Sequence, residues 1–225
     1  MAIKKIEILE FIEKIIRGER DFRGISLIEK GLSNNERFFE LNKYLEKNKE
    51  GLRKEPINLS DSELLGFEAR GIFLPYVIAE RTKFNEADLS YSYLRSGKFS
   101  DSIFYKSYFY KTNLEFSILE RTDFSRAKLI RTKLLMTKIN KSKLYKIYLY
   151  QSDLEGAELE DTDLSEADII ESEFRSIYVK NTDFNKTNFK DTHFNWEDII
   201  LGKNLQEIRF NREIPSHYIR FFVKD

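Results

Sequence analysis

From Phe84 to Ile199, every fifth residue is a large apolar side chain. All twenty-four of these positions are Leu, Phe, Ile or Val, in a chain of which 34% is charged. The stretch SDLEGAELEDTDLSEADI, from Ser152 to Ile169, shows the pattern with Leu154, Leu159, Leu164 and Ile169. A helix repeats near 3.6 residues and a strand repeats at 2, so a period of five fits neither. It requires a backbone that turns a corner every five residues.

A second restriction accompanies the first. The residue two places before each apolar centre is Ala, Ser, Thr or Gly in 21 of the 24 units, the exceptions being Ile147, Ile177 and Glu197. A fixed period over so many units is the mark of a solenoid. Both restricted positions are expected to point inward, the large residue filling the centre and the small one keeping the corner tight. Four units then close a coil of twenty residues. Coils stacked at the ~4.8 Å strand spacing give about six turns and a rod ~29 Å tall. Each inward Leu, Ile or Phe contributes ~1.5–3 kcal/mol of burial, largely offset by the entropy of ordering the chain. Contacts run only between neighbouring coils.

The units EADLS (86–90), SDLEG (152–156) and EADII (166–170) carry an A(D/N)LXX pattern. On these residues the chain resembles the pentapeptide-repeat proteins, of the cyanobacterial type, over at least residues 80–200. The resemblance implies an all-β solenoid, a right-handed quadrilateral β-helix with about six regular coils and irregular early ones. It implies little about function, because one scaffold serves many roles.

The frame weakens toward the N-terminus. Leu59, Leu64, Leu74 and Ala79 keep phase, with Ala69 a poor centre between them. FEARGIFLPYVIAE (67–80) reads as a distorted coil bent at Pro75. Phe22, Leu27 and Leu32 are again five apart, and GERDFRG resembles the opening segment of many members of the family. The expected organisation is an N-terminal helix in 1–18, formed by residues 3–16 and stopped at Gly18; a first partial coil in 19–33; a helical insertion in 34–56; the repeat β-helix in 57–200; and a C-terminal cap in 201–225. Asn34 or Asn35 is expected to cap the inserted helix and Gly51 to end it. PSHYIRFFV, 215–223, is expected to form a short helix. Such appendages cover the core and backbone edges that coil ends expose. The resemblance adds a further expectation, a homodimer through the C-terminal end by Tyr218, Phe221 and Phe222, since some relatives dimerise there.

Little here points to catalysis. There is no Cys, and the two His, His193 and His217, lie apart without a nucleophile or acid constellation. No glycine-rich phosphate loop is present. A rod filled with Leu and Phe leaves no cavity for a ligand. Neither enzyme activity, a cofactor, a metal nor a small-molecule substrate is expected. Glu7, Glu10 and Glu13 interrupt any signal-peptide core, and no apolar run approaches the ~18 residues of a spanning helix. A cytoplasmic protein without membrane contact is expected.

The formal net charge is zero, but the charges are banded. Residues 121–146 hold nine Lys or Arg and one acid, Asp123, whereas 153–173 hold ten Asp or Glu and no base. At an offset of twenty, Lys133 meets Asp153, Lys138 Glu158, Lys141 Asp161, Lys143 Asp163 and Lys146 Glu166. One coil on, Glu155 meets Arg175, Glu160 Lys180 and Glu166 Lys186. The bands are therefore expected to form a cross-coil ion-pair ladder that fixes register more than it adds stability. So cancelled, the basic band is a poor nucleic-acid footprint. The acidic band keeps open a second reading: quinolone-resistance members of the family resemble duplex DNA and bind DNA gyrase.

One outward stripe is not polar. Beside the centres Phe109, Leu129, Leu149 and Ile169 stand Tyr110, Ile130, Tyr150 and Ile170; Tyr108 and Tyr148 precede two of them, and Tyr91 lies nearby. Aromatic, apolar surface of this kind marks contacts, although Tyr and Ile also stabilise a sheet by stacking. The helical insertion could itself cover the stripe. The expected function is a non-enzymatic interaction or scaffolding protein whose rigid face engages a protein partner, its identity not legible. The alternative is a DNA-mimic modulator of gyrase.

Overall fold

The period of five is resolved by turns. The computed structural model of the chain describes residues 3–223. In many units the N–H two residues before a centre donates to the carbonyl of the preceding centre, as Ala87 does to Phe84 (3.0 Å) and Ala127 to Phe124 (2.9 Å); in others it donates to a Ser hydroxyl one coil on, as Thr82 does to Ser102 and Thr122 to Ser142, both at 3.0 Å. The residue between, two after the centre, has positive φ at every fifth position from Asp61 to Asp191. This is the turn geometry that requires φ > 0 at its third residue. Only Gly66, Gly71 and Gly156 meet that requirement with glycine; the others include Arg81, Lys106, Phe116 and Met136. The expectation that the small residue makes the corner is therefore corrected. The corner lies two residues after the centre, and the small residue is an interior one.

The interior position has its own chemistry. Buried Ser and Thr hydroxyls donate across coils to the carbonyl twenty-three residues earlier. Thr112 reaches Leu89 (2.8 Å), Ser152 reaches Leu129 (2.9 Å) and Thr162 reaches Ile139 (2.8 Å). A buried carbonyl left without a donor is costly, so the preference for Ser and Thr is a satisfaction rule as well as a size rule.

The result is a solenoid of parallel strands in which residue n stacks on n+20. Isolated bridges such as Asn58↔Ile78, Lys83↔Ile103 and Asn113↔Lys133 hold that offset along the rod. Where the pairing is regular it forms short strands. β3 (Tyr108–Tyr110), β4 (Lys128–Ile130), β5 (Tyr148–Tyr150) and β7 (Asp168–Ile170) make a four-stranded sheet. β6 (Glu158–Glu160) pairs β9 (Tyr178–Lys180), and β8 (Glu173–Phe174) pairs β10 (His193–Phe194). The core is one continuous column, with Phe84, Phe104 and Phe124 ring-stacked at 4.9 and 4.7 Å.

The N-terminal end departs from expectation in two places. Residues Lys4–Ile6 are a strand, β1, paired in parallel with β2 (Ile25–Leu27), and the helix α1 starts only at Ile8, running to Ile16. The open edge of the first coil takes β1 as a partner, a non-local demand that helical periodicity does not show. Ile8, Phe11, Ile12 and Ile15 then close the core from below. The insertion is two helices, α2 (Phe38–Lys47) and α3 (Lys49–Lys54), broken at Asn48. Asn35 precedes α2 by a turn, its side chain accepting the Arg37 N–H at 3.0 Å, and Gly51 lies inside α3 rather than ending it. Ser26 bridges Glu63 across the insertion, so the coil register resumes on its far side.

At the other end, the unit centred on Ile199 is one helical turn, α4 (Trp196–Ile199). Its small position is Glu197, and a carboxylate cannot take the buried site that Thr or Ser fills elsewhere. Lys203 and Arg209 still bridge Asp183 and Asn188. The segment 215–223 contains only a 3-10 turn at Ile219–Phe221.

Candidate partner-binding face

The sheet β3-β4-β5-β7 places the sequence-predicted stripe on one face. Register pairs Tyr110 with Ile130, Ile130 with Tyr150 and Tyr150 with Ile170. Their centres point inward and are buried, so the residues on either side point outward. Tyr110, Ile130, Tyr150 and Ile170 form one half-buried row; Tyr108, Lys128, Tyr148 and Asp168 form the second row of the same face. Tyr108 is 46% exposed, and Tyr91, at the adjoining corner, is 56% exposed.

The aromatic groups are held by neighbours rather than loose. Tyr91 and Tyr110 meet edge to face at 5.1 Å, with the Lys111 ammonium 5.4 Å from the Tyr110 ring. Lys128 sits 5.5 Å over Tyr108. Tyr148 and Tyr150 lie nearly parallel, 6.3 Å apart. Glu171, hydrogen-bonded to Tyr150, pushes the phenol above its ordinary range. The inserted helices leave the stripe uncovered. α2 is fastened elsewhere, the Asn42 side chain donating to the Gly71 carbonyl and accepting from the Phe73 N–H, both at 3.0 Å.

The charge ladder forms only in part. Lys138 meets Glu158 at 3.4 Å, Lys146 meets Glu166 at 3.1 Å and Lys180 meets Glu160 at 2.5 Å. The other expected pairs do not form. Lys133 reaches Glu115 at 3.9 Å, Arg175 takes its sequence neighbour Glu173 at 2.5 Å, and Lys186 reaches Glu207 at 3.9 Å. Asp161 accepts from Asn181 at 3.1 Å. Lys106, Lys111, Arg126, Lys128, Arg131, Lys141 and Lys143 have no ion pair among the described residues. Stacking at n+20 sets Cα positions, but long exposed side chains settle on diagonal or same-coil partners at similar energy. Better formed pairs lie lower on the rod, where Arg81 grips Asp61 (2.6 Å) and Arg121 grips Asp101 (2.7 Å), each through two nitrogens. Those guanidinium hydrogen bonds hold both carboxyls below the usual aspartate range.

The C-terminal residues are turned against their own chain. Phe222 packs on Trp196 (5.7 Å) and Phe210 (5.5 Å), Tyr218 stacks over Trp196 and donates its hydroxyl to Glu197, and Phe221 is half-buried against the core. Leu201, Ile219 and Val223 are the exposed apolar residues at this end.

A second apolar patch escapes sequence reading. Phe116, Met136 and Tyr178 are 42%, 54% and 52% exposed, and Leu135, Met136, Gly156 and Tyr178 line a shallow groove. Phe116 and Met136 occupy corner positions, where side-chain identity is nearly free, so no periodic signal exposes them. Among the described residues no group of His, Asp and Glu is arranged to hold a metal ion, and no helix is long and apolar enough to cross a membrane.

The family model for pentapeptide repeats, in eight copies, matches residues 107–144 and 142–177. No curated protein matches the chain. Among solved structures the chain is similar to HetL, a pentapeptide repeat protein involved in heterocyst differentiation regulation from the cyanobacterium Nostoc sp. strain PCC 7120. That likeness has 15% identity, covers 91% of this chain and 94% of the other, and has a TM-score of 0.40. QnrB1, a plasmid-mediated fluoroquinolone resistance protein, is similar at 12% identity over 71% of this chain and 94% of its own, with a TM-score of 0.34. Rfr23 from the cyanobacterium Cyanothece 51142 is similar at 18% identity over 74% and 99%, with a TM-score of 0.26.

Proposed function

With residues 107–177 identified as pentapeptide repeats, we propose that this chain is a non-enzymatic, cytoplasmic interaction or scaffolding protein. Its working surface is the face bearing Tyr108, Tyr110, Ile130, Tyr148, Tyr150 and Ile170, with Tyr91 at its edge. One observation carries the reading: a regular sheet presents an aromatic and apolar row to solvent, and no element among the described residues covers it. The scaffold is a right-handed quadrilateral β-helix of about six regular coils. Support for the hand is the strong right-handed preference of crossovers between parallel strands. Residues 3–18 serve it as an edge strand and helix, 19–33 as the first coil, 34–56 as the helical insertion and 201–223 as the cap. The half-buried state of Tyr218, Phe221 and Phe222 favours capping over dimerisation at that end.

The test is affinity capture from native lysate with wild type and with Tyr110→Glu/Tyr150→Glu. The variant should keep its far-UV spectrum and melting temperature while losing a protein that wild type retains. Equal capture by both, with both folded, would remove the stripe from the account. A second reading, a DNA mimic acting on gyrase, has support in Asp153, Glu155 and Asp163, which have no ion pair among the described residues. Unchanged supercoiling by purified gyrase at micromolar protein would eliminate it.

A further inference from the structure

The stripe face carries a charge pattern that is the inverse of itself. Along its corner column, in coil order, stand Lys111, Arg131, Gln151, Glu171 and Asp191. The signs run plus, plus, neutral, minus, minus, antisymmetric about Gln151. The row before the centres behaves alike: Lys128 and Asp168 lie one coil to either side of Tyr148. The row after the centres is symmetric at its middle instead, with Ile130 and Ile170 flanking Tyr150; beyond them lie an aromatic, Tyr110, and a cation, Lys190.

Such a surface fits a second copy of itself turned upside down. We propose that the chain forms a two-fold homodimer through this face, resting on the reading of the stripe as its working surface. The axis lies in the face, along the strand direction, through β5. That operation reverses coil order and keeps each row opposite its own counterpart. Arg131 then meets Glu171 of the second copy, Lys111 meets Asp191 and Lys128 meets Asp168. Ile130 packs on Ile170, the two Tyr150 rings and the two Tyr148 rings meet at the axis, and Tyr110 receives the Lys190 ammonium on its ring. Every pair off the axis occurs twice, as an isologous interface requires.

Within one chain most of these charges are not spent. Lys111, Arg131 and Glu171 are exposed. Gln151 stands between Arg131 and Glu171, accepting from one at 2.8 Å and donating to the other at 2.8 Å, so the two ions never meet. Asp191 accepts from the neutral amide of Asn211, and Asp168 accepts from that of Asn188 (3.0 Å) with the Arg209 guanidinium farther off at 3.8 Å. Elsewhere on the rod the contrast is plain, since Arg81 and Arg121 are closed bidentately onto Asp61 and Asp101. At the far corner of the stripe face Arg126 would meet Glu166, which Lys146 already holds at 3.1 Å, whereas Lys106 would face Lys186 and Lys146 would face its own copy at the axis. Those like-charge meetings lie at the rim, where solvent screens them.

Five strands at ~4.8 Å make a strip roughly 20 Å tall. This places the contact in the small class of interfaces, below about 1,200 Å². The dimer is therefore weak, populated at high micromolar protein and loosened by salt.

Sedimentation velocity across a concentration series tests it with the full chain. Wild type is expected to shift from monomer toward dimer with rising concentration, and less so in high salt. Arg131→Glu alone and Glu171→Arg alone each create like pairs at both ends of the interface, and each should remain monomeric. Mixed in equal amounts they should form the heterodimer. At one end the introduced carboxylate of the first variant then faces the introduced guanidinium of the second, and at the other end the native Arg131–Glu171 pair forms. A change acting only on folding cannot be rescued by mixing two separate chains. Wild type that stays monomeric at the highest concentration, single variants that dimerise as wild type does, or a mixture that stays monomeric would each overturn the proposal. A monomeric wild type whose lysate partner is still lost in Tyr110→Glu/Tyr150→Glu would refute the dimer while leaving the stripe in place.

Discussion

Replacing Thr162 with Val separates hydrogen bonding from size at the interior position. The two side chains are nearly isosteric, and Thr162 is 1% exposed. Its Oγ1 donates to the Ile139 carbonyl at 2.8 Å, and that carbonyl has no other donor among the described residues. Thr162→Val therefore leaves a buried acceptor unsatisfied, at about 1–3 kcal/mol. Thr137 is the matched control. Its Oγ1 donates to the Leu134 carbonyl at 2.7 Å, but the Thr137 N–H reaches the same oxygen at 3.2 Å. Thr137→Val keeps that carbonyl paired and should cost about 1 kcal/mol or less. In a chain of this size each kcal/mol moves the melting temperature by roughly 2–4 °C. Thermal melts followed by circular dichroism should place Thr162→Val several degrees below Thr137→Val. Equal melting temperatures for the two variants, or a Thr162→Val variant as stable as wild type, would refute the claim that the Ser/Thr preference is a satisfaction rule.

Two further outcomes follow from the corners and the paired carboxylates. Arg126 has φ 61° and no ion pair among the described residues, so Arg126→Val should destabilise by about 1–2 kcal/mol although it is exposed, while Arg126→Asn should not; urea melts of both variants check it. Asp61 and Asp101 are held below the ordinary aspartate value of 3.8, so the stability they contribute is present above that value and lost as pH falls through their lowered ones. Melting temperature followed from pH 6 to about pH 2 should therefore fall less steeply in Asp61→Asn/Asp101→Asn than in wild type.

The fold was legible because its rule is local and repeated. Any five residues around Leu159 declare which one goes inside, and the offset of twenty followed from four such units to a coil. The corners were not legible. Left-handed positions normally advertise themselves with Gly or Asn, but here they are held by Lys, Arg, Glu and Asp, tolerated because cross-coil hydrogen bonds such as Arg121 N–H to the Asn140 carbonyl (2.9 Å) fix the backbone. The ends were half legible. Lys4–Ile6 fits a helical pattern and becomes a strand only because β2 offers an edge. Glu197 was visible as an exception in the small position, and it marks where the coil gives way to α4. The stripe was legible as a row, because Tyr110, Ile130, Tyr150 and Ile170 are twenty apart. The ion pairs were less so, since stacking fixes Cα register while Arg175 and Lys133 choose other partners.

The most direct test of the account asks whether residues twenty apart are neighbours on the stripe face. The chain contains no Cys, so an introduced pair reports alone. Lys128 and Tyr148 are register partners on adjacent strands, at the ~4.8 Å strand spacing, within the ~4.4–6.8 Å reach of a disulfide. Lys128 and Lys143 are closer in sequence but belong to different faces. Oxidised at submicromolar protein, Lys128→Cys/Tyr148→Cys should form an intrachain disulfide, and Lys128→Cys/Lys143→Cys should retain two free thiols. The reverse outcome would break the twenty-residue coil and, with it, the face on which the proposed function stands.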